Sequence, residues 1–141
     1  MNISKEREQA IRDRFINNNP FPKLLGIELD SIEAGSATLS IETNDRLIQV
    51  QGIMHGGAIA SLIDTAVALA IAGVSEPEDR YTTVEMKVNY LAPIKRGRAT
   101  AYAKIIKNGR RIIVAECDVT DSDNTLVAKG LLTYIRLSRQ A

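Results

Sequence analysis

The stretch between Gln49 and Gly73 constrains the fold of this chain more than any other part of the sequence. Alanine, leucine and isoleucine dominate it from Gly57 onward, and Asp64 is the single ionisable side chain between Gly57 and Gly73. A helix that is apolar on nearly every face is a buried helix, and alanine is the best intrinsic helix former. We therefore predict a central, buried helix over residues 57–73. A carboxylate in such a helix must be hydrogen-bonded, paired or protonated, which makes Asp64 a candidate for chemistry.

Glycines frame this helix at both ends. The loop ahead of it carries His55, the only histidine of the chain, followed directly by Gly56 and Gly57. Gly73 stands where the apolar run stops, and glycine is common just past the end of a helix. The sequence therefore predicts a glycine-rich entry turn and a C-cap at Gly73.

The composition fits one domain over residues 1–141 and disfavours several classes of protein. The 18 Lys and Arg residues nearly balance the 17 Asp and Glu residues, which argues against binding to nucleic acid or to an anionic membrane through bulk charge. Cys117 is the only cysteine, so an internal disulfide is excluded and a reducing, cytoplasmic location is expected. With one His and one Cys, we expect no metal site and no cofactor. Asp64 in mid-helix favours a buried helix of a soluble protein over a membrane span.

Alternating apolar residues predict a sheet around the central helix. The charged, periodic residues 4–17 read as a short amphipathic surface helix. Asn108-Gly109, between two alternating runs, is a strong hairpin signal. Many inward positions of the later runs hold alanine or glycine, which lets a sheet approach a helix closely. We predict an α+β fold in which an antiparallel sheet of about six strands wraps one long helix, and its open edges favour a dimer. The six runs are residues 25–29, 37–41, 84–90, 99–105, 113–119 and 126–132.

The motif at the start of the central helix resembles that of a known family. H-G-G-A-I-A-S-L-I-D-T-A, residues 55–66, is similar to the H-G-G-x-x-x-x-L-x-D-x-A signature of the PaaI-like acyl-CoA thioesterases, which have the hotdog fold. P-F-P-K-L-L-G-I-E-L resembles the first strand of that family, and V-E-M-K-V-N-Y-L-A-P resembles the strand after the helix. The resemblance covers nearly the whole chain from about Pro20. It implies hydrolysis of an acyl-CoA to a free acid and coenzyme A, in a homodimer that assembles into a homotetramer.

The resemblance also implies roles for five residues. Asp64 would attack the thioester carbonyl or act as general base to water, and the sequence leaves both open. The N–H of Gly56 would stabilise the oxyanion. His55 would orient its neighbours, and Gln49 stands where many relatives have Asn and could bind the carbonyl or position water. Thr83 would help hold the water, and Gln49 and Gly56 of one subunit would meet Asp64 and Thr83 of the other.

Substrate binding is expected at three further residues. Gly57 adjoins the oxyanion donor, and Arg110 and Arg111 at the predicted hairpin could hold the phosphates of coenzyme A, since Arg suits phosphate. Each of these residues also has a purely structural explanation. Glycines shape turns, loop charges are commonly solvated, and a strand threonine or a loop glutamine needs no function.

Two other functions are compatible with a hotdog fold. A hydratase of acyl thioesters in this fold typically pairs Asp with a later His, and no His follows Asp64. A non-catalytic acyl-CoA-binding module would need no carboxylate inside the helix. Both alternatives therefore explain Asp64 less well than a thioesterase does.

Overall fold

The computed structural model describes residues 1–137, which contain three α-helices, a short 3₁₀ helix (Asp45–Leu47) and six strands; residues 138–141 of the predicted domain 1–141 lie outside it. Helix α1 (Lys5–Arg12) continues as a π-helical turn over Asp13–Asn17. Together they confirm the predicted surface helix over residues 4–17. The short α2 (Pro20–Leu25) follows, and the long central helix is α3 (Gly56–Ala72).

All six strands lie in one antiparallel sheet. Its spatial order is β1-β2-β4-β5-β6-β3, so that β1 and β3 form the two edges. This is the predicted α+β arrangement of a sheet around one helix. The strands are β1 (Glu28–Glu33), β2 (Ser36–Glu42), β3 (Arg80–Tyr90), β4 (Arg98–Asn108), β5 (Ile112–Thr120) and β6 (Leu126–Leu137).

Small residues bring the sheet close to α3, as predicted. Ala99, Ala101 and Ala103 of β4 have no exposed surface. At Gly130 of β6, a Cβ atom would lie 2.9 Å from Cγ2 of Ile63, so the strand backbone packs directly against the helix. Most residues of α3 are buried, and only one face of the helix keeps solvent-accessible surface. No helix within residues 1–137 is long and apolar enough to cross a membrane.

The predicted first strand over residues 25–29 begins too early. Residues Pro20–Leu25 form α2, and β1 begins at Glu28. Pro20 occupies the first helical position, where proline costs no hydrogen bond and its fixed φ suits a helix. Gly26 then ends the helix with a left-handed φ of 74°. The part of the family-like segment from Pro20 to Leu25, which resembles the first strand of the family, is therefore a helix instead.

Bulges change which side chains face α3 on the last strands. The register between β3 and β6 slips between Thr83 and Glu85, which leaves Val84 as an extra residue that is 59% exposed. The prediction that Val84 shares the inward face of Met86 is therefore wrong. On β6, Ala128, Gly130 and Leu132 are buried as predicted, whereas Leu126 is 41% exposed and Val127 is fully buried where the register with β5 slips, so the prediction fails only at Leu126. Strict alternation cannot anticipate an inserted residue.

Gly73 is the C-cap of α3, as predicted. Its φ of −63° lies in the right-handed region, which any residue adopts. A Cβ at this position would lie 2.5 Å from the carbonyl oxygen of Glu33 at the end of β1. The glycine therefore lets the end of the helix pass close to the β1–β2 hairpin.

Candidate active site

Asp64 lies in the middle of α3, and its carboxylate is held by two hydroxyl groups. The Tyr134 hydroxyl donates to Oδ1 of Asp64 at 2.6 Å, and the Thr83 hydroxyl donates to the same oxygen at 2.9 Å. The carboxylate is half-buried rather than sealed in the core. Its partial burial is therefore compensated by two donors, and both of them use one oxygen.

The β3 bulge is what brings Thr83 to the carboxylate. Met86 and Val88 are paired with inward-facing positions of β6, and Thr83 is paired with the inward-facing Tyr134. Unbroken alternation back from Met86 would put Val84 on that face and turn Thr83 away. Inserting one residue reverses the alternation, and bulges commonly re-aim side chains in this way beside functional sites.

The protonation of Tyr134 makes it a dependable donor. Burial raises the pKa of the Tyr134 phenol far above its ordinary value, and the charge and hydrogen bond of Asp64 raise it further; a hydrogen bond with Thr83 opposes them. The phenol consequently stays protonated throughout the neutral range. A neighbouring carboxylate then receives a hydrogen bond at every pH at which an enzyme is ordinarily assayed.

His55 caps the start of α3. Its Nδ1 accepts a hydrogen bond from the N–H of Gly57 at 2.8 Å, and its carbonyl oxygen accepts from the N–H of Ala58 at 2.9 Å. Accepting at Nδ1 places the proton of the neutral imidazole on Nε2. Since the Gly57 N–H is occupied by the cap, the predicted contact of Gly57 with substrate cannot use that donor while the cap is in place.

The Gly56 N–H is left over in this first turn. No acceptor for it is found within residues 1–137, whereas the following N–H groups donate to His55. The carbonyl of Gly56 points the other way and accepts from the Tyr90 hydroxyl at 2.9 Å. An uncommitted N–H at the positive end of a 17-residue helix is suited to bind a negatively charged oxygen.

Gln49 lies beside Gly56, at the wall of a cavity of about 310 Å³. Its amide Nε2 donates to Oε1 of Gln51 at 3.2 Å, and its Oε1 accepts from the Gln51 N–H. The remaining lining is largely apolar. The other lining residues of this open cavity are Ile53, Met54, Ile59, Tyr90 and residues 91–94. This cavity can take an apolar group whose polar end reaches Gln49 and Gly56.

The five predicted catalytic residues form two separate groups within one subunit. Gln49 and Gly56 share the cavity at the start of α3, with His55 capping that start. Asp64 of α3 and Thr83 of β3 form the second group. Asp64 is eight positions after Gly56, which corresponds to about 12 Å along the helix axis. A single subunit therefore does not bring the carboxylate and the free N–H to one reacting atom.

Arg110 and Arg111 are exposed at the β4–β5 hairpin. The hairpin is fastened to the end of β6, where Nη1 of Arg136 donates to the Gly109 carbonyl at 2.8 Å and the Arg136 N–H donates to the Arg111 carbonyl at 2.6 Å. Ile113 pairs with Tyr134, so these guanidinium groups lie at the end of the sheet nearest the Asp64 group. No cluster of three potential metal ligands occurs within the described residues.

Sequence reasoning missed Tyr134 and Tyr90. Tyr134 is two positions after Leu132 on β6, so strand alternation puts both side chains on the inward face. An inward phenol needs a hydrogen-bond partner, and Asp64 was the polar group predicted inside the fold. The sequence alone could therefore have predicted the hydrogen bond between Tyr134 and Asp64. Tyr90 was placed correctly on the inward face, but its contact with Gly56 depends on the loop geometry.

Comparison with known proteins identifies the family. A model of the thioesterase superfamily matches residues 51–128. The chain is 30% identical over 146 residues to the medium/long-chain acyl-CoA thioesterase YigI of Escherichia coli strain K12, covering 91% of this chain and 94% of that protein. It is 32% identical over 103 residues to the 1,4-dihydroxy-2-naphthoyl-CoA hydrolase of Listeria monocytogenes, covering 73% of this chain and 84% of that protein. A solved thioesterase family protein from Silicibacter pomeroyi matches with a TM-score of 0.85 at 30% identity, over 93% of this chain and 98% of that chain. The chain belongs to the thioesterase superfamily and has its hotdog fold.

Proposed function

We propose that this thioester hydrolase is a PaaI-like acyl-CoA thioesterase whose active site is completed by a second copy of the chain. The observation that carries the proposal is the Asp64 carboxylate, held at Oδ1 by two hydroxyls in an otherwise apolar helix. An ordinary apolar core has no use for a carboxylate held in this way. Acyl-CoA is the proposed substrate because relatives named for acyl-CoA hydrolysis align with most of the chain.

The exposed parts of the fold support a dimer. Strand β3 is an 11-residue edge strand, and its Val84 and Met86 are 59% and 38% exposed. Long edge strands are seldom left without a partner, because their free N–H and C=O groups invite pairing. Joining β3 to its counterpart about a two-fold axis would also bring the open sides of the two α3 helices together. That open side consists of the exposed Gly57 and of five half-buried residues, Ala60, Ser61, Asp64, Thr65 and Ala68.

A shared site resolves the separation within one subunit. Antiparallel apposition of the two helices would set the middle of one against the start of the other. The Asp64 and Thr83 group would then face the Gln49 and Gly56 group of the second copy across a slot. Thr83 keeps two lone pairs free to accept a hydrogen bond from water. Such an arrangement provides a base, a water position and an oxyanion donor in one place.

The reaction follows from these positions in one of two ways. Oδ2 of ionised Asp64 takes a proton from water as the water oxygen attacks the thioester carbon, or Oδ2 attacks that carbon itself. In either case the Gly56 N–H stabilises the oxyanion, and its collapse breaks the carbon–sulfur bond. In the first route the leaving thiolate recovers the proton from Asp64. In the second, water hydrolyses the mixed anhydride that remains on Asp64.

The proposal extends to assembly and location. Exposed apolar side chains on the outer face of the sheet, Tyr102, Ile112 and Leu131, support the pairing of dimers into a homotetramer. Cys117 is buried and unpaired, in keeping with a reducing, cytoplasmic location. We propose no cofactor and no metal, because a carboxylate and a backbone donor suffice for this hydrolysis.

Thiol release from acyl-CoAs tests the function. The panel holds short, medium and long straight-chain acyl groups and an aromatic one, and wild type is compared with Asp64→Asn. We expect turnover of at least one substrate, reduced roughly 100-fold or more in the variant, because a base or nucleophile is lost. Asp123→Asn is the matched control, because it makes the same change at an exposed carboxylate in the turn between β5 and β6.

Three results would contradict the proposal. Binding of acyl-CoA without turnover of any substrate would indicate a binding module. Addition of water to an enoyl-CoA without thiol release would indicate a hydratase. Equal activity of Asp64→Asn and wild type would remove Asp64 from the chemistry.

A further inference from the structure

The two oxygens of the Asp64 carboxylate have different surroundings. Oδ1 receives both available protons, from Tyr134 at 2.6 Å and from Thr83 at 2.9 Å. The described residues offer Oδ2 no donor. The Tyr134 oxygen also lies 3.0 Å from the main-chain carbonyl oxygen of Asp64, so the phenol is fitted to both the side chain and the backbone of this one residue. The carboxylate is therefore anchored on one side and open on the other.

We propose that Tyr134 is a positioning residue that fixes the rotation of the Asp64 carboxylate and so reserves Oδ2 for the reaction. This inference rests on the proposed thioesterase function. A carboxylate free to rotate exchanges its oxygens and must be ordered again at each turnover. A short hydrogen bond from a buried phenol removes that freedom, and a well-oriented reacting group contributes substantially to rate.

The ring of Tyr134 is itself held by an aromatic stack. Tyr81 lies 6.1 Å from it between ring centroids, and Phe15 from the N-terminal segment stacks on Tyr81 at 6.3 Å. The Tyr81 hydroxyl donates to the Ala68 carbonyl of α3 at 3.0 Å. The phenol of Tyr134 is thus located by contacts with β3, α3 and the N-terminal segment, and has little room to follow a rotating carboxylate.

The charged groups near the stack leave Tyr134 as a donor. Burial raises the pKa of the Tyr134 phenol, and the charge of Asp64 raises it further. The Tyr81 phenol, which is neutral, also faces Tyr134. A different set of charges acts on Tyr81. They are the guanidinium groups of Arg14, Arg136 and Arg7, and the carboxylate of Asp79.

The contribution of Tyr134 comes from outside the family segment. The superfamily model matches residues 51–128, which includes Asp64 and Thr83 but neither Tyr134 nor Phe15. The anchor on Oδ1 is therefore supplied by the last strand and braced by the N-terminal segment of this particular chain. A role for Tyr134 cannot be obtained from the family motif.

Tyr134→Phe tests the inference, because it keeps the ring and removes the hydroxyl. We expect kcat on the best acyl-CoA to fall roughly tenfold with KM changed less than about twofold. Tyr81→Phe is the comparison variant, since it also removes one phenol hydroxyl from the same stack but leaves both hydrogen bonds to Asp64 in place. It should therefore lower kcat far less than Tyr134→Phe does.

Crystal structures of wild type and Tyr134→Phe supply a readout that does not need activity. We expect one carboxylate orientation for Asp64 in wild type and a rotated or doubled orientation in the variant. An unmoved carboxylate would overturn the inference, as would equal losses of kcat in Tyr134→Phe and Tyr81→Phe. If wild type releases no thiol from any acyl-CoA, the proposed function fails, and the two crystal structures still decide whether Tyr134 orients Asp64.

Discussion

Tyr134 and Asp64 are 70 positions apart in the chain and 2.6 Å apart in space, joined by a hydrogen bond from a phenol to one carboxylate oxygen. The bond connects the last strand to the middle of the central helix. It explains how an acidic side chain is tolerated where every neighbour on the helix is apolar or small. It also gives the carboxylate a direction, and an orientated acid is what hydrolysis of a thioester requires.

The Gly56 N–H can be removed without changing the helix. Gly56 is the first residue of α3, where proline is tolerated, and His55 before it has an extended ψ of 133°, which suits a residue preceding proline. We expect Gly56→Pro to lower kcat roughly 100- to 1,000-fold, as the loss of one oxyanion donor does elsewhere. Steady-state kinetics of thiol release measures the effect.

Gly56→Ala is the control for that variant. It adds a Cβ at the same place, 3.2 Å from the Tyr90 ring, and keeps the N–H. A modest loss is expected from this tight contact, with kcat reduced far less than in Gly56→Pro. If the two variants lose activity equally, the Tyr90 contact is the cause and the N–H has no role.

Mixed oligomers test whether the site is shared between subunits. Asp64→Asn and Gln49→Ala each disable a different half of the proposed site. In a mixed dimer, one of the two sites combines the intact Asp64 of one copy with the intact Gln49 of the other. Refolding an equal mixture should therefore restore about a quarter of wild-type activity, because half of the dimers are mixed and each has one working site.

The opposite arrangement gives a different number. If Asp64 and Gln49 of the same copy served one site, every site in the mixture would carry one defect, and no activity would return. Each variant refolded alone provides the baseline. Size-exclusion chromatography before and after mixing shows whether copies have associated at all, and a monomer with full activity would contradict the shared site directly.

The central helix and the presence of six strands were predictable because they follow from periodicity and from one unusual residue. Asp64 was recognisable as a functional candidate because no apolar helix accommodates a carboxylate at random. The alternation of Ala99, Ala101 and Ala103 indicated a sheet face against a helix. These features are local in sequence, and burial of the apolar face enforces them.

The misassigned segments depend on information that is not local. Whether Pro20 starts a helix or extends a strand is decided by the fit of the following residues against the core. The bulge at Val84 cannot be seen in a run that alternates well on both sides of it, yet it decides that Thr83 faces the carboxylate. The C-cap at Gly73 was predicted correctly, but the close approach of Glu33 from another hairpin was not visible in the sequence. Each of these features depends on a contact between segments distant in the chain.

Arg110 and Arg111 provide the last prediction, on how coenzyme A is held. Both side chains are exposed at a hairpin that Arg136 fastens beside the Asp64 end of the sheet. If they bind the nucleotide phosphates, Arg110→Ala and Arg111→Ala should each raise KM for acyl-CoA several-fold with little change in kcat, since binding through solvent-exposed charges is weak. The same acyl group on pantetheine, which lacks the nucleotide, should show no such difference between variant and wild type.

Added salt should raise KM of wild type toward that of the variants, because it screens exposed charges. Lys104→Ala, on the neighbouring strand β4, is the control for removing one positive charge. Equal KM values for all these proteins on acyl-CoA would show that the hairpin charges are merely solvated.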